Sequence, residues 1–324
     1  MTITQAKHVP LVAVIGATGI QGTSVIKALS ESGKGYRVRG FSRDITKAAA
    51  EAVEKLGVEM VEINLVVENK EAVYKAFAGA NYAFLVTNFW EHMSPEKELS
   101  EGKMLVDAAN AAGVKGIIWS GLPPVKKISS GKNTNVVHCD NKTLIAEYGR
   151  ASGIPFVDIQ AGFYASNLVG YFPLLAKQPD GTYALTCPVK PTTIFPVIDM
   201  ENDYGLYVRR VLEMSVFPDG LELYTSGEDI TAEEMARQLS QVTERKVIFK
   251  QITTEEFTKN FAAVGVPLGV ATDAAAGFWE FFNEFGYYGG RSTISSREGL
   301  ARTSRTFAEF AKGVPWSKVL AALK

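Results

Sequence analysis

Apolar runs of strand length alternate with segments of helical period through the first half of the chain. VPLVAVIG, YRVRGFS, VEMVEINL, NYAFLVT, VKGIIWSG and IPFVDIQ predict six strands, and SVIKALSES, TKAAAEAVEKL, KEAVYKAFA, EKELSEGKMLVDAANAA and NKTLIAEYGRAS predict the intervening helices. Regular βα alternation implies a parallel sheet with helices on both faces. The strand runs are apolar at successive positions rather than at every second one, as expected where both faces of a sheet are covered. The pattern holds to about residue 160. Beyond it QPDGTYALTCPVKPTTIFPV is rich in proline and turn residues, and TAEEMARQLSQVTERKVIFKQITTEEF reads helix, strand, helix. The expected architecture is α/β: a Rossmann-type doubly wound parallel sheet over 1–160 and a smaller C-terminal α+β lobe over 161–324, some of whose elements return to the sheet. The lobe is the expected seat of a substrate or partner. No internal repeat or low-complexity tract interrupts this reading.

Composition narrows the function classes. A chain of 324 residues with 46% hydrophobic and 21% charged residues has globular proportions and enough apolar content for a large core. Lys and Arg total 34 against 35 acidic residues, so no net positive field exists to hold a phosphate backbone, and direct nucleic-acid binding is disfavoured. Cys139 and Cys187 form neither a metal-ligand spacing nor a disulfide framework, and no metal is expected. The start MTITQAKHVP lacks a signal-peptide apolar run, and no apolar run approaches the roughly 18 residues of a membrane span. These features point to a reducing intracellular compartment, cytoplasmic or nuclear, with no membrane partner.

The strongest motif is GATGIQG, which follows the first strand and opens a helix. Gly16, Gly19 and Gly22 suit a tight turn, close approach of the backbone to a pyrophosphate, and close packing of helix on strand. The N–H groups at the start of the helix are ready phosphate donors. Thr18, Ile20 and Gln21 share this loop and complete the expected phosphate-binding set. A tight strand-to-helix turn is the bland alternative, but the surrounding βα series is the context that a dinucleotide fingerprint requires.

The end of the second strand decides which dinucleotide is expected. An NAD site carries an acid there for the ribose 2′-hydroxyl, whereas an arginine suits a 2′-phosphate. FSRDITK offers Ser42, Arg43 and, one turn further on, Lys47. A guanidinium bonds a phosphate through two donors, so NADP(H) is the expected cofactor. Asp44 is the contrary signal; as the residue before ITKAAAEAVEKL it reads better as a helix N-cap.

GATGIQG, the arginine after the second strand, TNFWE, WSGL, HCDNK and GFYASNL occur in an order that resembles the NmrA-like proteins, a branch of the atypical short-chain dehydrogenases. The likeness spans nearly the whole chain, since the C-terminal helix–strand–helix segment and EFGYYGG also look like that family's lobe. The resemblance implies an NADP-binding fold in which Thr87 and Asn88 line the cofactor groove and Lys142 holds the nicotinamide ribose. It also implies that Tyr164 and Asn167 close over the nicotinamide side. INL is a departure: Asn64 stands where relatives commonly carry an aspartate and is left to reach the adenine.

A working short-chain dehydrogenase has a tyrosine four residues before this lysine; here His138 stands in its place. Four residues is just over one helical turn, so His138 and Lys142 share a face. An imidazole beside an ammonium is pushed toward its neutral form and makes a poor proton donor at neutral pH. His138 is therefore expected at the groove wall rather than in proton transfer, and Tyr148, six residues past Lys142, lies on another face. Isoflavone-reductase-like relatives also lack the tyrosine and are thought to use a lysine, which keeps Lys142, with His138 secondary, as a candidate catalyst.

GFWEFFNEFGYYGGR holds seven aromatic residues and reads either as lobe core or as the wall of a ligand pocket. Two function classes follow. One is an NADP(H)-binding, redox- or cofactor-sensing regulator with a protein partner. The alternative is an NADPH-dependent reductase of a small aromatic carbonyl or enone substrate using Lys142.

Overall fold

The computed structural model describes residues 3–169 and 174–323; residues 1–2, 170–173 and 324, which the N-terminal and lobe expectations include, lie outside the described residues. Six strands form where the apolar runs predict them: β1 (Leu11–Val14), β2 (Arg37–Ser42), β3 (Glu59–Glu62), β4 (Tyr82–Leu85), β5 (Ile117–Gly121) and β6 (Phe156–Gln160). The helices between them are α1 (Ile20–Ser30), α2 (Ala48–Glu54), α3 (Lys70–Ala76), the single turn α4 (Phe89–His92), α5 (Pro95–Ala111), the short α6 (Val125–Ile128) and α7 (Val137–Ala151). All neighbours in the main sheet are parallel. Its order is β11-β6-β5-β4-β1-β2-β3, where β11 (Glu222–Tyr224) comes from the second half of the chain. This is the doubly wound order, whose reversal beside β1 opens a crevice at the carboxyl ends of the strands.

Strand side chains alternate between faces. Val12 and Val14 join Val25, Ile26 and Leu29 of α1 and Tyr204, Tyr207 and Val208 in one core. Ala13 and Ile15 face the opposite way, into a core with Phe77, Leu105, Trp119 and Ile145. The second half contributes the strands β7 (Phe163–Tyr164), β8 (Leu175–Lys177), β9 (Tyr183–Cys187) and β10 (Ile194–Ile198), then helix α8 (Tyr204–Glu213). Helix α8 approaches α1 so closely that a Cβ at Gly205 would meet the Ser24 carbonyl oxygen at 2.0 Å, and the Gly205 amide donates to Ser24 Oγ at 2.9 Å. After β11 come β12 (Glu228–Thr231), α9 (Ala232–Thr243), β13 (Val247–Gln251) and α10 (Thr254–Ala263). Two three-stranded sheets, β12-β10-β7 and β13-β9-β8, enclose a third core rich in aromatic residues, into which Trp279 and Phe282 pack.

Asp44 does not cap α2. The helix starts at Ala48 after Lys47, which provides no side-chain cap. Asp44 instead accepts from the Thr46 amide at 2.9 Å and the Thr46 hydroxyl at 2.6 Å, closing a turn ahead of the helix. An aspartate bonding two residues ahead competes with capping a later turn.

Candidate functional site

A cavity of about 800 Å³ opens at the carboxyl ends of the central strands. It brings together every residue expected in the sequence to bind the cofactor or to serve as a catalyst: the loop residues Gly16, Thr18, Gly19, Ile20, Gln21 and Gly22; Ser42, Arg43 and Lys47; Asn64; Thr87 and Asn88; His138 and Lys142; and Tyr164 and Asn167. Tyr148 is not part of it; its hydroxyl lies on the outer surface and donates to Asp107 at 2.7 Å. Lys126, Lys127 and Lys132, in and after the short helix α6, do not line it, and Lys132 pairs with Glu284.

The glycine loop has the geometry its spacing implies. Gly16 turns at φ +66°, a left-handed conformation that favours glycine. A Cβ at Gly22 would lie 2.1 Å from the Gly16 carbonyl oxygen, so α1 is able to seat on the loop only with glycine there. Gly19 is the N-cap of α1, without a capping side chain, and the first turn holds no acid to occupy its N–H groups. Gln21 then reaches across to Tyr164, donating to its hydroxyl at 2.5 Å, while Gln21 Oε1 is buried without a protein partner. Burial pushes the Tyr164 phenol up to about 12, opposed by the Gln21 contact, which makes it a weak acid at neutral pH.

At one end of the cavity the charges are exposed and already matched. Arg43 forms an ion pair with Glu91 of α4, and Lys47 Nζ stands 3.8 Å from Asp44 Oδ2. Hydrogen bonds from Thr46 hold the Asp44 carboxyl below its usual range. Ser42 Oγ donates to the Asp44 carbonyl at 2.9 Å. Asn64 is exposed at the rim, and its carbonyl accepts from Asn69 Nδ2 at 3.0 Å.

At the other end the charge is enclosed. Lys142 Nζ donates to the Thr87 carbonyl and to Thr87 Oγ1, both at 2.8 Å, and lies 3.2 Å from Glu98 Oε1. These contacts match the three donors of an ammonium. Glu98 is fully buried; the Thr87 hydroxyl donates to it at 2.7 Å, and Asn141 Nδ2 lies 3.5 Å from its second oxygen. The ammonium also sits 5.3 Å from the centroid of the Trp119 ring, whose Nε1 donates to the Lys142 carbonyl. A ribose oxygen reaches this lysine only by replacing one of its present acceptors.

His138 and Lys142 both line the cavity, one turn apart on α7. The imidazole stands among Phe89, Trp90 and Phe278, with ring centroids 5.9, 5.3 and 6.2 Å away. Burial, then the charge of Lys142, pushes its pKa down to about 3; the aromatic surroundings outweigh the neighbouring ammonium that the spacing alone suggests. The ring is neutral at physiological pH, and its Nδ1 is buried without a protein partner. Cys139 is buried beside it, and burial raises its thiol well above the ordinary value, which leaves it inert. The aromatic run divides its duties: Trp279, Phe281 and Phe282 are core, while Phe278, Trp279 and Tyr287 also face the cavity. Gly286, Gly289 and Gly290 all have positive φ and form the turn beside it.

Glu98 and Glu91 are the residues that sequence reasoning missed. Glu98 lies in helical register with Gly102, Leu105 and Ala109, all buried. A lone acid on the apolar stripe of α5 was the available signal. Glu91 offered none, because its partner lies 48 residues away, two strands across the sheet.

The NmrA-like family model matches residues 9–311. The chain belongs to the NmrA-like family. An NmrA-like family domain-containing protein of Dictyostelium discoideum is 29% identical over 88% of this chain and 92% of its own. The NmrA-like family domain-containing oxidoreductase malD of Malbranchea aurantiaca is 31% identical over 75% of each chain. NmrA, a negative transcriptional regulator, has been solved in complex with NADP; that structure superposes over 98% of both chains with a TM-score of 0.80 at 23% identity. Its complex with NAD superposes over 97% of both with a TM-score of 0.79 at 23% identity. The fold of this NmrA-like chain is thus one that carries nicotinamide dinucleotides in its structural neighbours. Among the described residues no helix is long and apolar enough to cross a membrane, and no group of three His, Cys, Asp or Glu residues is placed to hold a metal.

Proposed function

We propose that the chain binds NADP(H) along this cavity and acts as a cofactor-sensing regulator rather than as a proton-relaying enzyme. In this reading 1–160 is the cofactor domain and 161–324 the partner lobe. The adenosine phosphate lies toward Ser42, Arg43 and Lys47, the pyrophosphate over the glycine loop, and the nicotinamide between Lys142 and the Tyr164–Asn167 segment. The residues present suit such a ligand: the start of α1 carries no side chain at Gly19, Gly22 lets the helix seat closely on the loop, and the buried Gln21 Oε1 and His138 Nδ1 lack protein partners. The cofactor, when bound, supplies hydride chemistry or a redox-dependent shape.

The observation that carries the regulatory reading is the saturation of Lys142. Its ammonium is shared among the Thr87 carbonyl, Thr87 Oγ1 and buried Glu98, so it orders the wall beneath the nicotinamide instead of standing free to donate a proton. The neighbouring candidates do not replace it. His138 is neutral and has no ionised form to give a proton at pH 7, and Tyr164 holds its proton tightly. NmrA, with the same fold, is described as a negative transcriptional regulator, which fits this reading.

The cavity's continuation past Lys142 into Phe89, Trp90, Phe278 and Tyr287 supports a second reading. An apolar, aromatic chamber beside a nicotinamide suits a flat carbonyl or enone compound, and malD is named an oxidoreductase. NADPH oxidation by the purified protein over a panel of quinones, aldehydes and enones separates the two, with cofactor affinity measured on the same sample. Tight binding without turnover supports the regulator. Turnover by the wild type that disappears in a Lys142→Ala protein still folded by circular dichroism supports the reductase and refutes the first reading.

A further inference from the structure

The two cations expected to receive a 2′-phosphate are each already matched by a carboxylate, but the two pairs differ in kind. Lys47 and Asp44 belong to one short loop after β2, and their 3.8 Å contact spans three residues. That pair lies within one loop and presents both charges on the same side of the groove mouth. Arg43 is held from outside its own loop: Glu91 follows β4, and the order β4-β1-β2 sets the two residues on either side of the strand that carries the glycine loop. The Arg43–Glu91 contact therefore bridges the mouth of the groove. Both side chains are largely exposed, at 63% and 44%, so solvent screens the pair and it opens at little expense.

We infer that Glu91 is a positioning residue that competes with the cofactor's 2′-phosphate for Arg43, and so sets the discrimination between NADP and NAD. The inference rests on the dinucleotide reading of the cavity. A 2′-hydroxyl is neutral and makes no claim on the guanidinium, so NAD leaves the pair as it stands. A 2′-phosphate carries about two negative charges; it meets the Glu91 carboxylate as a like charge and competes with it for the Nη1 edge of the guanidinium, the edge on which Glu91 is held. Part of the gain from the arginine–phosphate contact is thus offset by the ion pair it replaces. The preference for NADP that Ser42, Arg43 and Lys47 imply in the sequence is present but muted.

Glu91 is held where it competes by the rest of α4. Phe89 is buried, the Met93 amide closes the turn on the Phe89 carbonyl at 2.7 Å with Met93 in a left-handed conformation, and His92 Nε2 lies 3.5 Å from Glu101 Oε2. Glu91 is thus presented from an anchored turn, and its neutralisation removes a charge without freeing the segment.

The test is calorimetric titration of NADP+ and of NAD+ into the wild type, Glu91→Gln, Arg43→Ala and the double variant. Releasing an exposed ion pair is worth up to about five-fold in affinity, so Glu91→Gln should tighten NADP+ by about that factor and leave NAD+ within about two-fold. In the Arg43→Ala background the same change should alter NADP+ affinity by less than about two-fold, because the competition acts through the arginine. A Glu91→Gln protein whose affinities for NADP+ and NAD+ move together, or do not move, overturns the inference while leaving the dinucleotide reading intact. A gain that persists in full without Arg43 also overturns it. A wild type that binds neither nucleotide overturns the dinucleotide reading itself.

Discussion

Arg43 with Glu91 and Lys142 with Glu98 are the same chemical pairing set in two places along one cavity. The first pair is 63% and 44% exposed, the second 11% and 0%. At the surface, water and salt screen the charges, and such a pair contributes about 0–1 kcal/mol and exchanges partners readily. Under α5 the same charges have lost their water, and removing one partner strands the other at roughly 3–5 kcal/mol. The difference assigns the pairs to different tasks. Under the proposed cofactor reading, the outer one is a contact open to exchange with a ligand's phosphate, and the inner one orders the wall beside which a nicotinamide would rest.

Cutting the inner pair has the largest expected effect. Lys142→Ala leaves the Glu98 carboxylate enclosed with the Thr87 hydroxyl and Asn141, and should cost about 3–5 kcal/mol of stability in urea unfolding followed by circular dichroism. The double variant Lys142→Met with Glu98→Leu should recover most of that loss, because no stranded charge remains. A single variant as stable as the wild type would mean that the pair is solvated and not locked. Any fall in cofactor affinity in Lys142→Ala has to be read beside this stability loss.

His138, beside the inner pair, makes its enclosure measurable through pH. Unfolded, the imidazole ionises near 6.5; folded, it stays neutral to about 3. Between those values the unfolded chain binds more protons, so the contribution to stability is complete above 6.5 and is lost as the pH falls toward 3. His138→Phe keeps the aromatic contacts and removes the titration, so its stability relative to the wild type should rise by about 2 kcal/mol from pH 7 to pH 5. Asp158, raised by burial to about 7, tilts the wild-type curve the opposite way, but it is present in both proteins and cancels in the difference. A difference that does not change with pH would place the imidazole in contact with water.

The smallest effect belongs to the outer pair. Arg43→Ala should change stability by less than about 0.5 kcal/mol, within the range of ordinary surface substitutions. A loss comparable to that of Lys142→Ala would erase the distinction between the two ends.

The sheet was legible because its strands are buried on both faces, which writes continuous apolar runs into VPLVAVIG or VKGIIWSG, and because Gly16 and Gly22 are demanded by local backbone geometry. The gathering of His138, Lys142 and Thr87 around one cavity was legible from helical spacing and family resemblance together. What was not legible depends on tertiary approach. The seventh strand, β11, is only three residues long and gains its place by pairing with β6. Asp44 looked like a cap but bonds to Thr46, two residues ahead of it, and the pairing of Arg43 with Glu91 exists only because strand order brings distant loops together. The pKa of His138 follows from aromatic neighbours contributed by separate segments, 89–90 and 278, and the i, i+4 lysine is the lesser cause.

The most direct test of the site itself is calorimetric titration of NADPH into the wild type and into Gly19→Val. A Cβ at Gly19 meets only the Gly16 carbonyl oxygen, at 3.3 Å, so the variant should fold, with a wild-type circular dichroism spectrum. Its branched side chain occupies the space where the backbone would approach a pyrophosphate. Saturable one-to-one binding by the wild type and none by the folded variant is the expected result; equal binding by the two, or no binding by the wild type, would rule out a pyrophosphate site at this loop.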